Sequence, residues 1–475
     1  MSVTAATGLQ EQRRLVRAVR AELLRDRRGR PAPATEPPMR VMARIVRDLE
    51  RECAARRLDP AAVRAEIVDR TIGDVDLRRV TECVGEPGGP GDYRRLADEL
   101  GLALPGEDLH GVTATGETYH WLRRRMFDEE RDLLGSGVDL RVYDIAGVGN
   151  PVLRGRLAED MRAWGLDVTA EHVALGIGAT DCIDKVLRGL ARLARRHDQP
   201  PGALLVPAPG FTMPDEQALS HGYRLHRVGT GERERFKLTA GRLDEELTAS
   251  PDVRVVYLTV TTNPTAFAYS PDELAGLRDV VRRHAASGRR VHLLADLAYV
   301  GTGVPADDAA RMRSLTAGPR DDVVIYVSSW SKTHTLTGER FGWVTFGDAG
   351  FAAEMGGSWI SSMSSLPAEW QLRFLAYHRL FHENPRLTAR IRELYRLRRD
   401  RLRHQLHHLD QVHGLFEEIY LDDDATIYNW SRLRDGEDCF SVFEKTGVAG
   451  IPGSTFGYSD RYVRFSVGIL PVVME

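Results

Sequence analysis

Short apolar runs separated by helical stretches dominate the chain after about residue 140, and they constrain its fold more than any other feature. Five runs are rich in Val, Ile and Leu: Val173 to Ile177, Ala203 to Val206, Val255 to Val260, Val291 to Ala295 and Val323 to Val327. Short runs without polar alternation are typical of strands that are buried on both faces of a sheet. Because these strands alternate with helices, the sequence predicts an α/β fold with a parallel or mixed sheet.

The first hundred residues follow a different pattern. The segment from Arg30 to Pro38 is rich in proline, which lacks a backbone donor and holds the preceding residue extended, so a linker is predicted there. From Met39 to Leu58, and from Ala61 to about Val84, apolar residues recur every three or four positions, which indicates amphipathic helices. A stretch of glycine and proline at 85–91 then interrupts the chain.

Charge and cysteine content exclude several classes of protein. The chain has 65 basic and 68 acidic residues, so it lacks the basic surplus of a dedicated nucleic-acid binder. Its four cysteines form no C-x-x-C pair, which argues against a disulfide framework and a zinc ribbon and favours the reducing cytoplasm. No run of eighteen apolar residues and no apolar N-terminal signal core are present, so neither a membrane nor nucleic acid is an expected partner. No metal site is predicted.

Polar residues directly follow four of the predicted strands. Parallel strands present their carboxyl ends at one edge of a sheet, where ligands bind, so these residues should lie at one site. The first group, Gly178-Ala179-Thr180, leads into a helix and could hold an anion at the helix N-terminus. The other groups contain Asn263, Asp296 with Tyr299, Ser329 with Lys332, and, eight residues beyond Lys332, Arg340.

In this order, the residues resemble the fold type I pyridoxal phosphate enzymes, in particular class I and II of the aspartate aminotransferase superfamily. The most specific elements are Ser329-x-Ser331-Lys332 and Gly338-x-Arg340-x-Gly342. The remaining matches, in chain order, are Tyr143, Gly149, Leu153-Arg154, Gly178-Ala179-Thr180, Pro209-Gly210-Phe211, Asn263-Pro264-Thr265, Asp296-x-x-Tyr299, Pro452-Gly453-Ser454-x-Phe456 and Arg464-Phe465-Ser466. The resemblance therefore covers the chain from about residue 143 to residue 464.

The resemblance implies the fold type I transferase architecture: a large domain with a mostly parallel seven-stranded sheet between helices, and a smaller α+β domain. The N-terminal helices would be an extension of this fold. We expect a flexible tail and linker over residues 1–38, the helical extension over 39–105, the large cofactor-binding domain over 141–365, and a small domain made of 106–140 with 366–475.

The resemblance also implies pyridoxal 5'-phosphate as cofactor and assigns catalytic roles. Lys332 would form the Schiff base with the cofactor and, once released, would move a proton at the substrate α-carbon. It alone of four lysines follows a buried strand among small polar residues, and we expect Lys185, Lys237 and Lys445 at the surface. Asp296 would keep the ring nitrogen protonated, which the cofactor needs in order to withdraw electrons.

The other matched residues would bind the remaining parts of the cofactor and substrate. Asn263 and the catalytic Tyr299 would donate to the phenolic oxygen of the ring, and Phe211 would stack on its face. Arg464 would clamp the α-carboxylate of an amino-acid substrate. The phosphate would be bound by Arg340, Ser329, Thr180 and the backbone of Gly178 and Ala179, and by Tyr143 of a neighbouring subunit, which implies a homodimer with composite active sites.

Three features depart from the family pattern. Ala266 stands where a glycine usually follows Asn-Pro-Thr, the first hundred residues have no counterpart, and only eleven residues follow Arg464. The leading functional hypothesis is transfer of the amino group of an L-amino acid to a 2-oxo acid. Two alternatives stay open, namely elimination, replacement or carbon-carbon bond formation (annulation), for example on S-adenosylmethionine, and an aminotransferase-like regulatory protein. The mixed charges of residues 39–100 argue against the latter.

Overall fold

A seven-stranded sheet forms the centre of the larger part of the molecule. The computed structural model describes residues 3–27, 38–71, 73, 112–383, 385–420 and 427–467. Their contacts divide them into two compact units. The smaller unit contains the described residues up to 73, residues 263–266 and the chain from 395 onward. The larger unit contains the described residues from 112 to 262 and from 267 to 394.

The helices and strands follow one another along the chain. The helices are α1 (Val3–Arg27), α2 (Val41–Ala55), α3 (Pro60–Glu66), α4 (Val112–Gly135), α5 (Pro151–Ala163), α6 (Gly178–Arg196), α7 (Met213–Ser220), α8 (Ala240–Ala249), α9 (Pro271–Ala286), α10 (Pro305–Thr316), α11 (Ala349–Met355), α12 (Gly357–Met363), α13 (Ala368–Glu383), α14 (Pro385–His413) and α15 (Cys439–Thr446). The strands are β1 (Val68–Asp69), β2 (Val173–Ile177), β3 (Ala203–Ala208), β4 (Arg224–Gly229), β5 (Val253–Thr259), β6 (His292–Asp296), β7 (Val324–Ser329), β8 (Phe341–Phe346), β9 (Phe416–Tyr420), β10 (Tyr428–Leu433), β11 (Val448–Ala449), β12 (Ile451–Pro452) and β13 (Tyr462–Ser466).

The sheet of the larger unit has the strand order β2-β8-β7-β6-β5-β3-β4. Strands β3 to β7 pair in parallel, and β8 runs antiparallel to both β7 and β2. The predicted α/β fold with a mostly parallel seven-stranded sheet is therefore confirmed, and all five apolar runs are strands. The central strands β5, β6 and β7 are almost entirely buried, as expected for parallel strands covered by helices.

Helix α6 packs on one face of this sheet and forms the main hydrophobic core with it. Val186 and Leu187 of the helix lie in one buried cluster with Val255 of β5, Leu294 of β6 and Ile325 of β7. The helix is strongly amphipathic, because its apolar residues recur on the face that meets the sheet. This packing fixes the N-terminus of α6 at the edge where the parallel strands end.

The smaller unit contains an antiparallel sheet in the order β12-β13-β10-β9 and a short parallel pair, β1 with β11. Helix α2 buries one apolar face that includes Met42, Ile45, Val46 and Leu49. Within the described ranges, no helix combines the length and the apolarity that a membrane span requires.

The N-terminal region differs from the sequence expectations in two respects. Residues 3–27, which lie within the segment expected as tail and linker, form α1, and Val16, Val19 and Leu24 on this helix are buried. The helix predicted from Ala61 to about Val84 ends at Glu66. The backbone then becomes extended, and the amides of Val68 and Arg70 donate to the carbonyls of Gly447 and Ala449. The linker predicted over 30–38 and the interruption at 85–91 lie outside the described residues, apart from Pro38.

The contact-based division also differs from the predicted domain boundaries. Residues 112–140 and 366–394 were assigned to the small domain, but they contact the larger unit. The reason is a buried carboxylate on α4: Glu129 is 1% exposed and forms ion pairs with Arg156 of α5 at 3.1 Å and Arg379 of α13 at 2.6 Å. These pairs join α4 and α13 to α5 of the larger unit.

Candidate active site

Asp296, the last residue of β6, is a buried carboxylate. It is 4% exposed, and its Oδ2 accepts a hydrogen bond of 2.7 Å from Tyr257 Oη while its Oδ1 accepts one of 2.9 Å from the Ala298 amide. Burial raises the pKa of Asp296 above its ordinary value, and the two hydrogen bonds offset part of that shift. Among the described residues, no Lys, Arg or His forms an ion pair with Asp296. Its negative charge is therefore uncompensated.

Lys332 lies in the turn that joins β7 to β8. The turn is braced at its start, where the Ser331 amide donates to Ser329 Oγ at 3.2 Å, and across its width, where Thr337 Oγ1 donates to the Ser331 carbonyl at 3.0 Å. Trp330 is buried and packs edge-on against Phe374 of α13 at 4.8 Å between ring centroids. Lys332 is itself partly buried. The lysine amine is therefore carried by a well-packed turn at the carboxyl end of a central strand.

Two of the other lysines are not at the surface, contrary to expectation. Lys185 is fully buried, and its Nζ lies 2.5 Å from Asp181 Oδ2 one turn earlier in α6. Lys237 is 6% exposed and pairs with Glu273 at 2.6 Å. Both were expected at the surface because a lysine usually extends into solvent, whereas a carboxylate partner can neutralise it in the interior. Each amine therefore forms an ion pair with a carboxylate.

The Arg340 guanidinium lies close to the N-terminus of α6 because residue 178 is a glycine and has no side chain. Gly178 has a φ of +78°, and a Cβ at this position would lie 2.5 Å from Arg340 Nη2. A Cβ at Gly342 would likewise lie 2.5 Å from the Gly178 carbonyl carbon, so both glycines are required for this close approach. Arg340 donates from Nη1 to the Thr337 carbonyl at 3.2 Å. Among the described residues, no carboxylate pairs with Arg340.

The arrangement at Gly178 is suited to an anion. The first amides of a helix lack intrahelical acceptors and carry the positive end of the helix dipole. In α6 these amides begin at residue 178, beside the Arg340 guanidinium. The one acidic side chain of this turn, Asp181, accepts from the Ile177 amide at 2.8 Å and is paired with Lys185, so it is neutralised locally.

The other predicted residues of the larger unit differ in exposure. Ser329 and Tyr299 are buried, and Thr180 is partly buried and accepts a 2.9 Å hydrogen bond at its carbonyl from Gln217. Phe211 and Ala179 are partly buried and pack against the core cluster of the sheet. Tyr143, in contrast, is 78% exposed in this single chain.

Arg464 and Asn263 lie together in the smaller unit. Arg464 is 1% exposed, and its Nη1 donates to Asn263 Oδ1 at 2.9 Å while its Nη2 donates to the Thr71 carbonyl at 2.7 Å. The guanidinium also faces the rings of Tyr428 at 4.1 Å and Phe456 at 5.0 Å. Its buried Nε has no hydrogen-bond partner, and no carboxylate in the described part of the chain pairs with it.

Sequence reasoning missed several of these supports. Tyr257, which donates to Asp296, appears in the sequence only as one aromatic residue in an apolar strand. Thr71 contributes a backbone carbonyl, for which no side-chain pattern exists. Tyr428 gave no signal either, because its position over Arg464 follows from the pairing of β10 with β13. The one signal available was the apolar run before Asp296, because a carboxylate at the end of a buried strand needs a hydrogen-bond partner.

These residues fit the cofactor that the resemblance implies. A buried carboxylate without a cation is what a protonated ring nitrogen requires, and an arginine beside a helix N-terminus is what a phosphate requires. The absence of a Cβ at Gly178 leaves that helix N-terminus open beside Arg340. In the smaller unit, a buried arginine without an anion is suited to a carboxylate.

Comparison with known proteins gives a family match over most of the chain. The family model for aminotransferase class I and II matches residues 128–473. The aspartate/prephenate aminotransferase of Cereibacter sphaeroides is 27% identical over 325 residues, which are 66% of this chain and 76% of that protein. The histidinol-phosphate aminotransferase of Halobacterium salinarum is 30% identical over 201 residues, 42% of this chain and 49% of that protein.

Solved structures agree in fold. The aspartate aminotransferase of Thermus thermophilus with maleate superposes with a TM-score of 0.65 at 19% identity, covering 94% of this chain and 95% of that one. An aminotransferase from Mycobacterium tuberculosis gives a TM-score of 0.61 at 20% identity, covering 92% and 94% of the two chains. At these identities the structures establish the fold of the chain.

Proposed function

Because the chain belongs to the aminotransferase class I and II family, whose members use pyridoxal 5'-phosphate, we propose that it transfers the amino group of an L-amino acid to a 2-oxo acid. The observation that carries this proposal is a set of three uncompensated charges among the described residues: the carboxylate of Asp296 and the guanidinium groups of Arg340 and Arg464. A pyridinium cation, a phosphate and a substrate carboxylate have the opposite charges. Each charge thus has one natural counterpart in the proposed reaction.

When bound, pyridoxal 5'-phosphate supplies an aldehyde that attaches to an amine and a ring that withdraws electrons from the substrate α-carbon. Lys332 would hold the aldehyde carbon, and its amine, once free, would take the proton from the substrate α-carbon and deliver it to the carbon on the other side of the substrate nitrogen. Asp296 holds a proton at the ring nitrogen. Tyr257 and the Ala298 amide fix the carboxylate in the orientation that this interaction needs.

The remaining residues bind and orient. Arg340, with Ser329, Thr180 and the first amides of α6 at Gly178 and Ala179, binds the phosphate. Asn263 and Tyr299 donate to the phenolic oxygen, and Phe211 covers one face of the ring and excludes water from it. Arg464 binds the α-carboxylate through two N–H groups, which sets the direction of the α-carbon bond that breaks.

Assembly and location are part of the proposal. Val142, Tyr143 and Ile145 are 67%, 78% and 93% exposed, an unusual concentration of apolar surface in one short segment. This supports a homodimer in which Tyr143 reaches the phosphate of the other subunit. We further propose that the protein acts in the cytoplasm. Analytical ultracentrifugation should give a dimer, and Tyr143→Ala should lower cofactor affinity; a monomer with full activity would contradict the composite site.

The test of the reaction is a single-turnover experiment with purified holoenzyme. Adding the correct L-amino acid should change the absorbance of the bound cofactor and release the matching 2-oxo acid in an amount equal to the enzyme active sites. Release of ammonia with an elimination product, or of methylthioadenosine from S-adenosylmethionine, without the 2-oxo acid that matches the donor, would instead support the elimination or annulation alternative.

The choice of donor can be narrowed with one comparison. Relatives of the chain are named for aspartate, prephenate, histidinol phosphate and valine with pyruvate. Histidinol phosphate has no α-carboxylate, whereas the amino acids do. If Arg464 binds a carboxylate, donors that carry one should have a far lower KM than histidinol phosphate. Preferential use of histidinol phosphate would remove the proposed role of Arg464.

A further inference from the structure

The segment from Glu66 to Thr71 links the N-terminal helices to Arg464. Its strand, β1, pairs in parallel with β11: the Val68 amide donates to the Gly447 carbonyl at 2.8 Å, and the Arg70 amide donates to the Ala449 carbonyl at 2.9 Å. At its far end the Thr71 carbonyl accepts the hydrogen bond from Arg464 Nη2. The position of this short strand therefore sets the position of one of the two acceptors that hold Arg464.

Helix α1 fixes the near end of the same segment. The Glu66 carboxylate is 6% exposed and is bound by Arg13 Nε at 2.7 Å and by Arg17, whose Nε and Nη2 donate at 2.7 and 2.8 Å. Arg20 of the same helix donates to the Glu66 carbonyl and, at 3.1 Å, to the Glu444 carbonyl. Three arginines on successive turns of α1 thus hold Glu66 by its side chain and its backbone.

The Glu66 carboxylate is charged in this setting. Burial by itself raises the pKa of Glu66, but the hydrogen bonds and charges of Arg17 and Arg13 more than offset it, and the net pKa lies below the ordinary value. A buried charge held by two arginines has one favourable geometry, because each guanidinium is planar and directional. The clamp on Glu66 is therefore rigid as well as attractive.

At the other end of the segment, the orientation of Arg464 depends on a small number of contacts. Asn263 Oδ1 and the Thr71 carbonyl each hold one terminal nitrogen of the guanidinium, while Tyr428 and Phe456 face it. A carboxylate is bound bidentately only when the plane of the guanidinium matches that of the ligand. A displacement of the Thr71 carbonyl would turn that plane and weaken binding of a carboxylate without removing any group that binds it.

We propose that α1 is a positioning element for substrate binding, which acts through Glu66, β1 and the Thr71 carbonyl on Arg464. Arg13, Arg17 and Glu66 are the positioning residues. The inference rests on the proposed role of Arg464 in binding the substrate carboxylate. It gives the N-terminal helix, for which the sequence suggested no role in catalysis, a place in the recognition of the amino acid.

The test uses full-length holoenzyme and the variant Glu66→Gln, which keeps the size of the side chain but removes its charge. The KM for the amino-acid donor should rise about tenfold, as expected for a small misplacement of a binding group, while kcat and cofactor absorbance stay unchanged. Arg17→Gln, which leaves Arg13 in place, should give a smaller rise in KM. The matched control is Glu22→Gln, since Glu22 of α1 forms an exposed pair with Arg56 at 3.2 Å; its KM should be unchanged.

Two further measurements separate positioning from general destabilisation. An amine donor that lacks a carboxylate should have the same KM with the original enzyme and with Glu66→Gln. In the background of Arg464→Gln, which should itself raise the KM for amino acids, Glu66→Gln should add little, because both changes affect one interaction. Thermal unfolding of each variant, measured in parallel, must show that the protein is folded at the assay temperature.

The outcomes distinguish the two levels of the proposal. If Arg464→Gln leaves the KM for amino acids unchanged, the proposed role of Arg464 fails. If Arg464→Gln raises the KM but Glu66→Gln does not, the role of Arg464 stands and the positioning role of α1 is overturned. An equal rise in KM for the donor without a carboxylate, or a full additional rise in the Arg464→Gln background, would also overturn it.

Discussion

The candidate cofactor residues and Arg464 differ in how far along the chain their hydrogen-bond partners lie. Asp296 is held by the amide two residues ahead and by Tyr257 on the neighbouring strand β5, and Arg340 is held by a carbonyl three residues back. Arg464 is held by Asn263 and Thr71, which are 201 and 393 residues away. The sheet of the larger unit therefore fixes the first group, whereas tertiary contacts within the smaller unit fix the second.

This difference has a consequence for substitutions. In the cofactor region, we expect large effects only from the residues that act directly, because the sheet continues to hold the rest. Around Arg464, substitutions remote in sequence should change substrate binding as well.

Replacing Lys332 by Ala removes the proposed point of attachment for the cofactor and the proposed base at the α-carbon. Activity should fall by roughly 10⁴-fold, the upper range for loss of a positioned acid or base. Borohydride reduction followed by peptide mapping should find the cofactor on residue 332 in the original protein and on no lysine in the variant. Lys445→Arg is the control, because Lys445 is 42% exposed and pairs with Glu437; it should retain both label and activity. A label on Lys185 or Lys237 would contradict the proposed site.

Replacing Asp296 by Asn keeps the shape of the side chain but removes its charge. The loss of attraction to a protonated ring nitrogen is about 4 kcal/mol at 4 Å and an effective dielectric constant of 20, so kcat should fall by about 10³-fold. In the apoprotein, by contrast, removing this buried charge should increase the free energy of unfolding. The raised pKa of Asp296 means that the folded apoprotein binds the proton more tightly than the unfolded chain, so its stability falls as pH rises from about 3.8 through that raised pKa.

The apoprotein of Asp296→Asn should therefore be more stable than the original apoprotein at neutral pH and should lose this part of the pH dependence. Glu129→Gln is the control: Glu129 is only 1% exposed, but it forms ion pairs with Arg156 at 3.1 Å and Arg379 at 2.6 Å. Its replacement leaves two cations without their partner and should lower stability with little change in kcat. Denaturant unfolding of both apoproteins from about pH 3.8 to pH 8 measures the contrast; a destabilised Asp296→Asn apoprotein would show that the Asp296 charge is compensated.

Replacing Arg464 by Lys keeps the positive charge but removes the planar pair of donors. The KM for the amino-acid donor should rise by about 10- to 100-fold, which corresponds to roughly 1.5–3 kcal/mol for a hydrogen bond to a charged group. The control is Arg461→Lys on the same segment, since Arg461 is 45% exposed and pairs with Glu417 at the surface. A fall in kcat at unchanged KM would instead mean that Arg464 acts on the reacting atoms.

The same contrast explains what could be predicted from the sequence. The strands β2, β3, β5, β6 and β7 were predictable because each is a local apolar run, and the candidate residues after them follow within a few positions. The sheet order then determines which of those residues are neighbours. The fold and the candidate cofactor residues of the larger unit were therefore accessible from short motifs in the expected order.

The surroundings of Arg464 were not accessible in this way. The Thr71 carbonyl, which holds this guanidinium, belongs to a segment that the apolar spacing indicated as helix, and only pairing with β11 makes it extended. Burial of Lys237 was missed for the same reason, since its partner Glu273 lies 36 residues away along the chain. Local patterns predict elements well, whereas partners from remote segments decide which charges are compensated.

Ala266 offers the smallest but cleanest test, because it lies in the segment 263–266 that carries Asn263 into the smaller unit. Its φ is +68°, a left-handed conformation in which a Cβ is disfavoured by about 1–2 kcal/mol and which glycine adopts freely. Ala266→Gly should therefore stabilise the protein, by about 0.5–1 kcal/mol after the added chain entropy of glycine in the unfolded state is subtracted.

The control is Ala268→Gly at a similarly buried position that pairs with Thr261 in an extended bridge, which should destabilise by about 0.5–1 kcal/mol. Urea unfolding of the two variants decides the sign. Loss of stability in Ala266→Gly would mean that the methyl group of Ala266 contributes packing that outweighs its backbone cost, and a changed KM for the donor in the same variant would show that this segment also sets the orientation of Arg464 through Asn263.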